Sequence, residues 1–242
     1  PIVINKAKGD IEVLVEDNIA NIYWTEGDIV RMKRYDLIDV QNYVPLPVTP
    51  DPLPTYPSNT ISAYNLNENV NDQVSNNNGT PTNTTYQLVD SSNYAGVFNG
   101  DAYVIVQESG DFEINNLGVE LMIKTSDAGS NLRALVVKQF AFGIFIHNGV
   151  LKMYDWSDTG GFKDTDKNVT DDIWHKINEE FRNGIENETI VYVDDVEVLT
   201  TTYNFKDQTN KLVIGNGDDG TTTPPSGQHF NGMIDNVRIY TL

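Results

Sequence analysis

The chain contains no cysteine, which excludes a disulfide framework, thiolate metal sites and cysteine nucleophiles together. Histidine is scarce: His147, His175 and His229 lie far apart, never at the short spacing of a zinc site. Basic residues are few, with 16 Lys and Arg against 35 Asp and Glu and a formal charge of −19. Duplex nucleic acid and anionic membrane surfaces both need a basic footprint, so neither is expected as a partner. No run approaches the roughly 20 apolar residues of a membrane-spanning helix, and helical periodicity is never sustained. No Gly-x-Ser-x-Gly elbow or glycine-rich phosphate loop occurs. The opening Pro1–Asn5 has no basic region leading into an apolar stretch, so no signal peptide is read there. Cytosolic synthesis with a trimmed initiator methionine is the expectation, although a mature secreted chain or a fragment would look the same.

What is present is 39% hydrophobic and 10% aromatic over 242 residues, enough for a packed core in one large domain with an appendage. Three blocks separate. Residues 1–44 alternate apolar and polar positions at Ile11–Glu16, Ile19–Trp24 and Ile29–Tyr35, with turn formers between, which predicts a small β attachment segment. Residues 45–57 carry six prolines. They fix φ and remove N–H donors, predicting a semi-rigid spacer of at most about 40 Å. A tail lying over the domain surface is the alternative.

From residue 58 to 242 the pattern is all-β. Short apolar or alternating runs recur at 103–106, 119–124, 132–138, 142–147, 150–154, 174–181, 189–193, 196–199, 211–214 and 233–240. Many short strands at close spacing predict a sandwich or barrel. Polar loops are read at 67–83, 155–172 and 215–229. Phe98, Tyr103, Val104, Val106, Trp174, Ile177, Val191, Val193, Ile214, Ile234, Val237 and Ile239 form the expected apolar inventory, with Trp174 and His175 in or near the core.

The order of landmarks resembles the laminin G-like, concanavalin A-like lectin and glucanase family. Ser62–Leu66 with Asn71-Asp72 and Asn76–Gly79 looks like its opening strand and loop. Val97-Phe-Asn-Gly-Asp-Ala-Tyr-Val-Ile-Val106 is similar to its Phe-Asp-Gly strand, and Trp174-His175 to its Trp-His strand. Thr189–Val196, Lys211–Asn216 and Phe230–Tyr240 resemble the later landmarks, the last being the closing strand. Asp195 stands in place of a hairpin glycine, Asn236 in place of a frequent acid, and the 119–124 strand lacks its usual tryptophan. The resemblance implies a two-sheet antiparallel jelly-roll sandwich.

Glucanase relatives use two carboxylates about 5–5.5 Å apart on one strand, in a Glu-x-Asp-x-x-Glu pattern. The nearest approach, Glu26-Gly27-Asp28, ends in Arg31 and lies outside the resemblance. Glu179 and Glu180 are adjacent, so a strand sends them to opposite faces. No catalytic residue is therefore assigned, and the chain is expected not to be an enzyme.

Two kinds of ligand fit the loops. The resemblance implies a structural Ca2+ held by Asp235, with carbonyls near Gly100 and Asp101; alternatively Asp235 bonds a loop amide or pairs with Arg238. For carbohydrate, an aromatic face beside carboxylates and amides is the expected arrangement. Trp156, Asp155, Asp158 and Phe162 are the first candidates, with Asn216, Asp218 and Asp219 second; alternatively Trp156 packs onto the sandwich edge. Together these readings describe a non-enzymatic adhesion or structural protein of a phage virion, a capsid decoration or fibre component. Its N-terminal segment would join virion partners in an oligomeric assembly, and its sandwich would display to glycans. The alternatives are a carbohydrate-binding module of a bacterial surface or secreted protein, and a glycoside hydrolase with an unfamiliar carboxylate arrangement.

Overall fold

Alternation along the chain becomes strands whose two faces have different fates. The structure is a computed structural model describing residues 11–16, 19–26, 29–36, 56–90, 93–218 and 228–242, with side chains from residue 56 onward. It divides into two compact units, residues 1–55 and 56–242. In the first, β1 (Ile11–Glu16), β2 (Ile19–Glu26) and β3 (Ile29–Asp36) form an antiparallel meander in that order, with Val13 opposite Ile22 and Ile22 opposite Lys33. The proline-rich stretch lies, through residue 55, outside the described residues.

The second unit holds β4 (Thr60–Tyr64), β5 (Gly79–Thr82), β6 (Thr85–Leu88), β7 (Tyr94–Asn99), β8 (Tyr103–Val106) and β9 (Asn116–Lys124). It continues with β10 (Arg133–Lys138), β11 (Phe142–His147), β12 (Val150–Asp155), β13 (Gly161–Asn168), β14 (Trp174–Arg182) and β15 (Thr189–Val193). β16 (Val196–Thr201), β17 (Leu212–Ile214) and β18 (Asn231–Thr241) complete it, and no helix occurs among the described residues. Two antiparallel sheets form the sandwich. One runs β13-β12-β11-β10-β17-β8-β5, and the other β16-β15-β14-β9-β18-β7-β6 with β4 also beside β18. Pro81 sits in the edge strand β5, where a missing N–H costs least.

Between the sheets lies one core containing Phe98, Phe112, Phe142, Phe181, Tyr203 and Phe230, all essentially without exposure. Burying each such side chain contributes roughly 1.5–3 kcal/mol. Ten of the twelve expected core residues are in this set, Tyr103 and Trp174 being the exceptions. Alternation explains both. β14 points His175, Ile177, Glu179 and Phe181 inward, so Trp174, three residues before Ile177, must face outward. On β8 the buried Val104 and Val106 leave Tyr103 outside.

Three local expectations change. The stretch 97–106 is not one strand: β7 belongs to the eight-stranded sheet and β8 to the seven-stranded one, so the chain crosses the sandwich at the turn around Gly100. The loop read at 155–172 contains β13, and the one at 67–83 ends in β5. Both strands are edges, and edge strands carry weak apolar signals because little of them is covered.

Two buried titratable groups sit on the inner face of β14. His175 lies between Asp194 (Nδ1 to Oδ2, 2.8 Å) and Asp171 (Nε2 to Oδ1, 2.9 Å). Desolvation lowers its pKa, but the two carboxylates outweigh it and the net direction is upward. Glu179 is 0% exposed, and neither carboxylate oxygen has a hydrogen-bond partner among the described residues. Burial pushes its carboxyl well above the ordinary range.

Both raised groups bind protons more tightly folded than unfolded, so each makes stability fall as pH rises: Glu179 from its ordinary value near 4.5 upward, His175 from 6.5 upward. Glu179→Met is expected to stabilise the unit by about 1–3 kcal/mol at pH 8, with a smaller gain at pH 4.5, as read by urea denaturation. An equal gain at both pH values would contradict the account. His175→Gln should remove the part of the slope above pH 6.5.

Candidate functional site

The outer face of the seven-stranded sheet carries what the core face leaves over. On β11, Phe142, Ile144 and Ile146 enter the core, which sends Phe145 outward. Across the ladder Phe145 is opposite Lys152 of β12, and Tyr154 of β12 is opposite Phe162 of β13. Phe145 and Tyr154, together with Trp156 just beyond β12, pack with Leu132, Ala134 and Val137 of the β10 region in a second apolar cluster separate from the core. The rings meet edge to face: Tyr154 and Trp156 at 5.0 Å between centroids, Tyr154 and Phe162 at 4.8 Å, Phe145 and Phe162 at 6.2 Å. Such aromatic pairs contribute about 0.5–1.5 kcal/mol each beyond their burial.

These rings line a concavity of about 300 Å3 that also touches Gln139, Asp218 and Gln228. Phe162 is 44% exposed, which is unusual for a phenyl ring and leaves it in contact with solvent. Trp156 lies against Gly143: a Cβ added there would stand 2.6 Å from the indole. Only a residue without a side chain lets the ring approach the sheet this closely. Asp218, at the β17 end, is buried, and its Oδ1 lies 2.9 Å from Lys211 Nζ.

The two loops proposed separately from sequence therefore converge, Trp156 and Phe162 from one and Asp218 from the other. The rest of the expected set is placed differently. Asp155 is 2% exposed and faces its own loop, where Oδ1 accepts from the Ser157 amide at 2.8 Å and Oδ2 is 3.9 Å from Lys163. It shapes the turn that carries Trp156 and does not line the pocket. Asp158 points into solvent, 3.8 Å from Lys206. Asn216 is fully buried and accepts from the Gly217 amide. Asp219 lies outside the described residues. Phe145, Tyr154, Gln139 and Gln228 were not singled out from sequence. Phe145 was nonetheless discoverable, because three buried residues at 142, 144 and 146 force 145 to the other face.

The ligand set expected for calcium is not assembled. Asp235 is 3% exposed; its Oδ2 accepts from Asn93 Nδ2 at 2.8 Å and its Oδ1 from the Asn236 amide at 2.7 Å. Burial raises its pKa, partly offset by these donors. Gly100 and Asp101 belong to the β7–β8 turn. The register Asn231↔Asn99 and Ile234↔Gly96 runs Asp235 away from that turn, about 13 Å along the ladder at roughly 3.3 Å per residue. Asp101, exposed, accepts from Asn83 Nδ2 at 3.1 Å. The hydrogen bonds to Asp235 come from the amides of Asn93 and Asn236, and the Asp90 carboxylate nearby raises its pKa further. Among the described residues no group of three or more His, Asp or Glu is placed to hold a metal ion. Asp235 bonds a loop amide, the alternative raised from sequence, while Arg238 pairs with Glu120.

The family model described as the concanavalin A-like lectin/glucanases superfamily matches residues 98–242. No curated protein matches the chain in sequence. Among solved structures, domain 4 of the extracellular GH43 arabinanase AbnA from Geobacillus stearothermophilus, in complex with arabinotriose, is 20% identical with a TM-score of 0.57, covering 75% of this chain and 92% of its own. A structure of botulinum neurotoxin type C, whose cell entry depends on two ganglioside molecules, is 12% identical (TM-score 0.54) over 75% of this chain and 47% of its own. Trypanosoma rangeli sialidase with sialic acid is 12% identical (TM-score 0.57) over 97% of this chain and 42% of its own. The chain thus spans less than half of the last two. At these identities the likeness is one of fold.

Gly143→Ala is expected to lift Trp156 from the sheet and Asp155→Ala to loosen its turn. In a background with Trp24 and Trp174 replaced by Phe, both should red-shift the remaining emission and raise its acrylamide quenching. Unchanged emission in both would show that neither residue positions the indole.

Proposed function

The chain belongs to the concanavalin A-like lectin/glucanases superfamily, and from that premise we propose that it is a non-enzymatic carbohydrate-recognition module whose contact surface is the Trp156–Phe162 platform. The observation that carries this reading is the shared pocket of four aromatic rings, one carboxylate and two side-chain amides. Ring faces pack against the C–H faces of a sugar, and Gln139 and Gln228 are suited to its hydroxyls, while Asp218, its side chain buried against Lys211, forms the wall behind them. The arabinotriose bound to the arabinanase domain supports an oligosaccharide of neutral sugars as the ligand class. Binding rather than hydrolysis is favoured because, among the described residues, Asp218 is the one carboxylate lining the pocket, whereas glycoside cleavage generally requires two.

The setting we propose is a phage virion, in a capsid decoration or fibre component. Its support is the layout: a three-stranded β unit whose apolar face needs a cover, then a proline-rich stretch, then a display domain, in an acidic chain without cysteine. Presence of the chain in purified particles beside a capsid or tail protein is the expected finding; its recovery only from cell envelopes or culture medium would favour a bacterial surface module.

Calorimetric titration against a panel of neutral oligosaccharides, arabinotriose included, tests the ligand. Trp156→Ala and Phe162→Ala should each weaken binding tenfold or more, with the fold retained and the melting temperature lowered by only a few degrees for the lost ring contacts. No reducing ends should appear on prolonged incubation with the parent polysaccharides. Full affinity in both variants would remove the platform from the account, and released sugar ends would restore the enzyme.

A further inference from the structure

The outer face of the eight-stranded sheet holds a second concavity, built independently of the aromatic platform. It is a groove of about 540 Å3 lined by Tyr56, Asn65, Met122, Lys176, Asn236 and Arg238 among others. Its origin is topological. β18 pairs with β7 over Asn231–Ile234 and then with β4 from Val237. Between these partners its pairing with β9 is interrupted, Asp235 standing opposite Met122 and Arg238 opposite Glu120, with Asn236 left-handed at φ 50. A bulge where a strand changes partner leaves backbone unpaired and re-aims side chains.

Arg238 is the unusual member. Its side chain is only 18% exposed, and its guanidinium carbon lies 4.2 Å from the centroid of the Tyr240 ring. Tyr240 crosses Gly118, where a Cβ would collide with the ring, and its hydroxyl donates to Asn178 Oδ1 at 2.8 Å. The Nε of Arg238 faces Glu120 Oε1 at 3.4 Å. Among the described residues no partner takes its two terminal nitrogens. A guanidinium held by its Nε and its face, with donors unclaimed, matches a planar two-oxygen anion.

Lys176 supplies a second cation, 3.2 Å from Glu120 Oε2 and 2.9 Å from Asp195, a residue whose side chain is 79% exposed. Glu120 is thus shared between two cations, and the exposed Asp195 pairing is weakened by solvent. The other walls suit a sugar. Tyr56 and Met122 offer apolar surface. Asn65 accepts from Tyr56 through Oδ1 and Asn236 donates through Nδ2 to Asp235, so an amide NH2 and an amide carbonyl are left for hydroxyls.

The geometry points to a second saccharide site in this groove, selective for a sugar that bears a carboxylate. The net charge of −19 opposes an anion at long range, although at physiological ionic strength that field decays over about 8 Å. Inside the groove Arg238 and Lys176 are balanced by Glu120, which also lines it, and by Asp195, so the attraction rests on the directed guanidinium fork and not on net positive charge.

Trigalacturonate, neutral galactotriose and sodium acetate are the probes, titrated into the full chain by calorimetry and followed by amide and Arg Nε–H NMR shifts. Trigalacturonate should bind, move the Arg238 signal and weaken at least tenfold in Arg238→Lys, which keeps the charge but loses the fork; Lys176→Gln should weaken it several-fold. Trp156→Ala should leave trigalacturonate affinity unchanged, which separates this site from the platform. Equal affinity for trigalacturonate and galactotriose, equal affinity for acetate, or full binding in a folded Arg238→Lys protein would each overturn the proposal. If Arg238→Lys does not fold, undiminished binding in Lys176→Gln together with an unmoved Arg238 signal would do the same.

Discussion

The constraint on which this structure rests is that each strand has two faces and one core to share. Two sheets enclose a single apolar layer, so every residue committed inward assigns its neighbours outward. Phe142, Ile144 and Ile146 fill the core and leave Gly143 and Phe145 on the outer face of the sheet, buried there beneath Trp156 and Phe162. Leu117, Val119, Leu121 and Ile123 do the same on β9 and leave Gly118, Glu120 and Met122. The aromatic platform and the cationic groove are the outer remainders of strands whose inner faces hold the fold together.

Recognition on such surfaces depends on what lies beneath the contact residues. A glycine sits under an aromatic ring in both places, Gly143 under Trp156 and Gly118 under Tyr240. Each lets a ring lie close to the backbone, where its rotamer is restricted and little entropy is left to lose on binding. Asp155 acts at one remove, holding the turn that carries the indole. The chemistry differs between the sheets: the platform has rings, amides and a single carboxylate, while the groove has two cations sharing one glutamate. That difference is the basis for proposing a neutral sugar at the one and an acidic sugar at the other.

Much of the architecture was legible in the residues. The runs at 142–147, 150–154, 189–193 and 233–240 are strands, and the family landmarks fall on strands of both sheets, β4, β7, β8, β14, β15, β17 and the closing β18. β13 and β5 were less visible, because edge strands bury few residues. The core was readable except where a landmark was followed in place of the alternation, as with Trp174. Of the candidate site, Trp156, Phe162 and Asp218 were legible as aromatic and acidic loop residues. Their convergence was not, since β12 and β17 are separated by β10 and β11 in the sheet and by some sixty residues in sequence. Asp155 and Asn216 have the right chemistry for sugar contacts, but burial turns them to backbone amides. Where Asp235 stands relative to Gly100 and Asp101 depends on the β7–β18 register, which sequence order does not supply.

Glu179 departs from the logic of the rest, an unpartnered carboxyl among Ile177, Phe181 and their neighbours. Its burial without a hydrogen-bond partner among the described residues is expected to cost stability, and its position two residues from Phe181 on the inner face follows from the same alternation. On the other side of the sandwich, the outward remainder around Trp156 is the proposed resting place of a neutral sugar. Mapping chemical-shift changes on isotopically labelled protein, with the neutral oligosaccharide that binds best, tests it most directly. The largest changes should fall on the Trp156 indole N–H and on the rings of Phe162 and Tyr154. Changes confined to other surfaces, with the Trp156 signal unmoved at saturation, would contradict it.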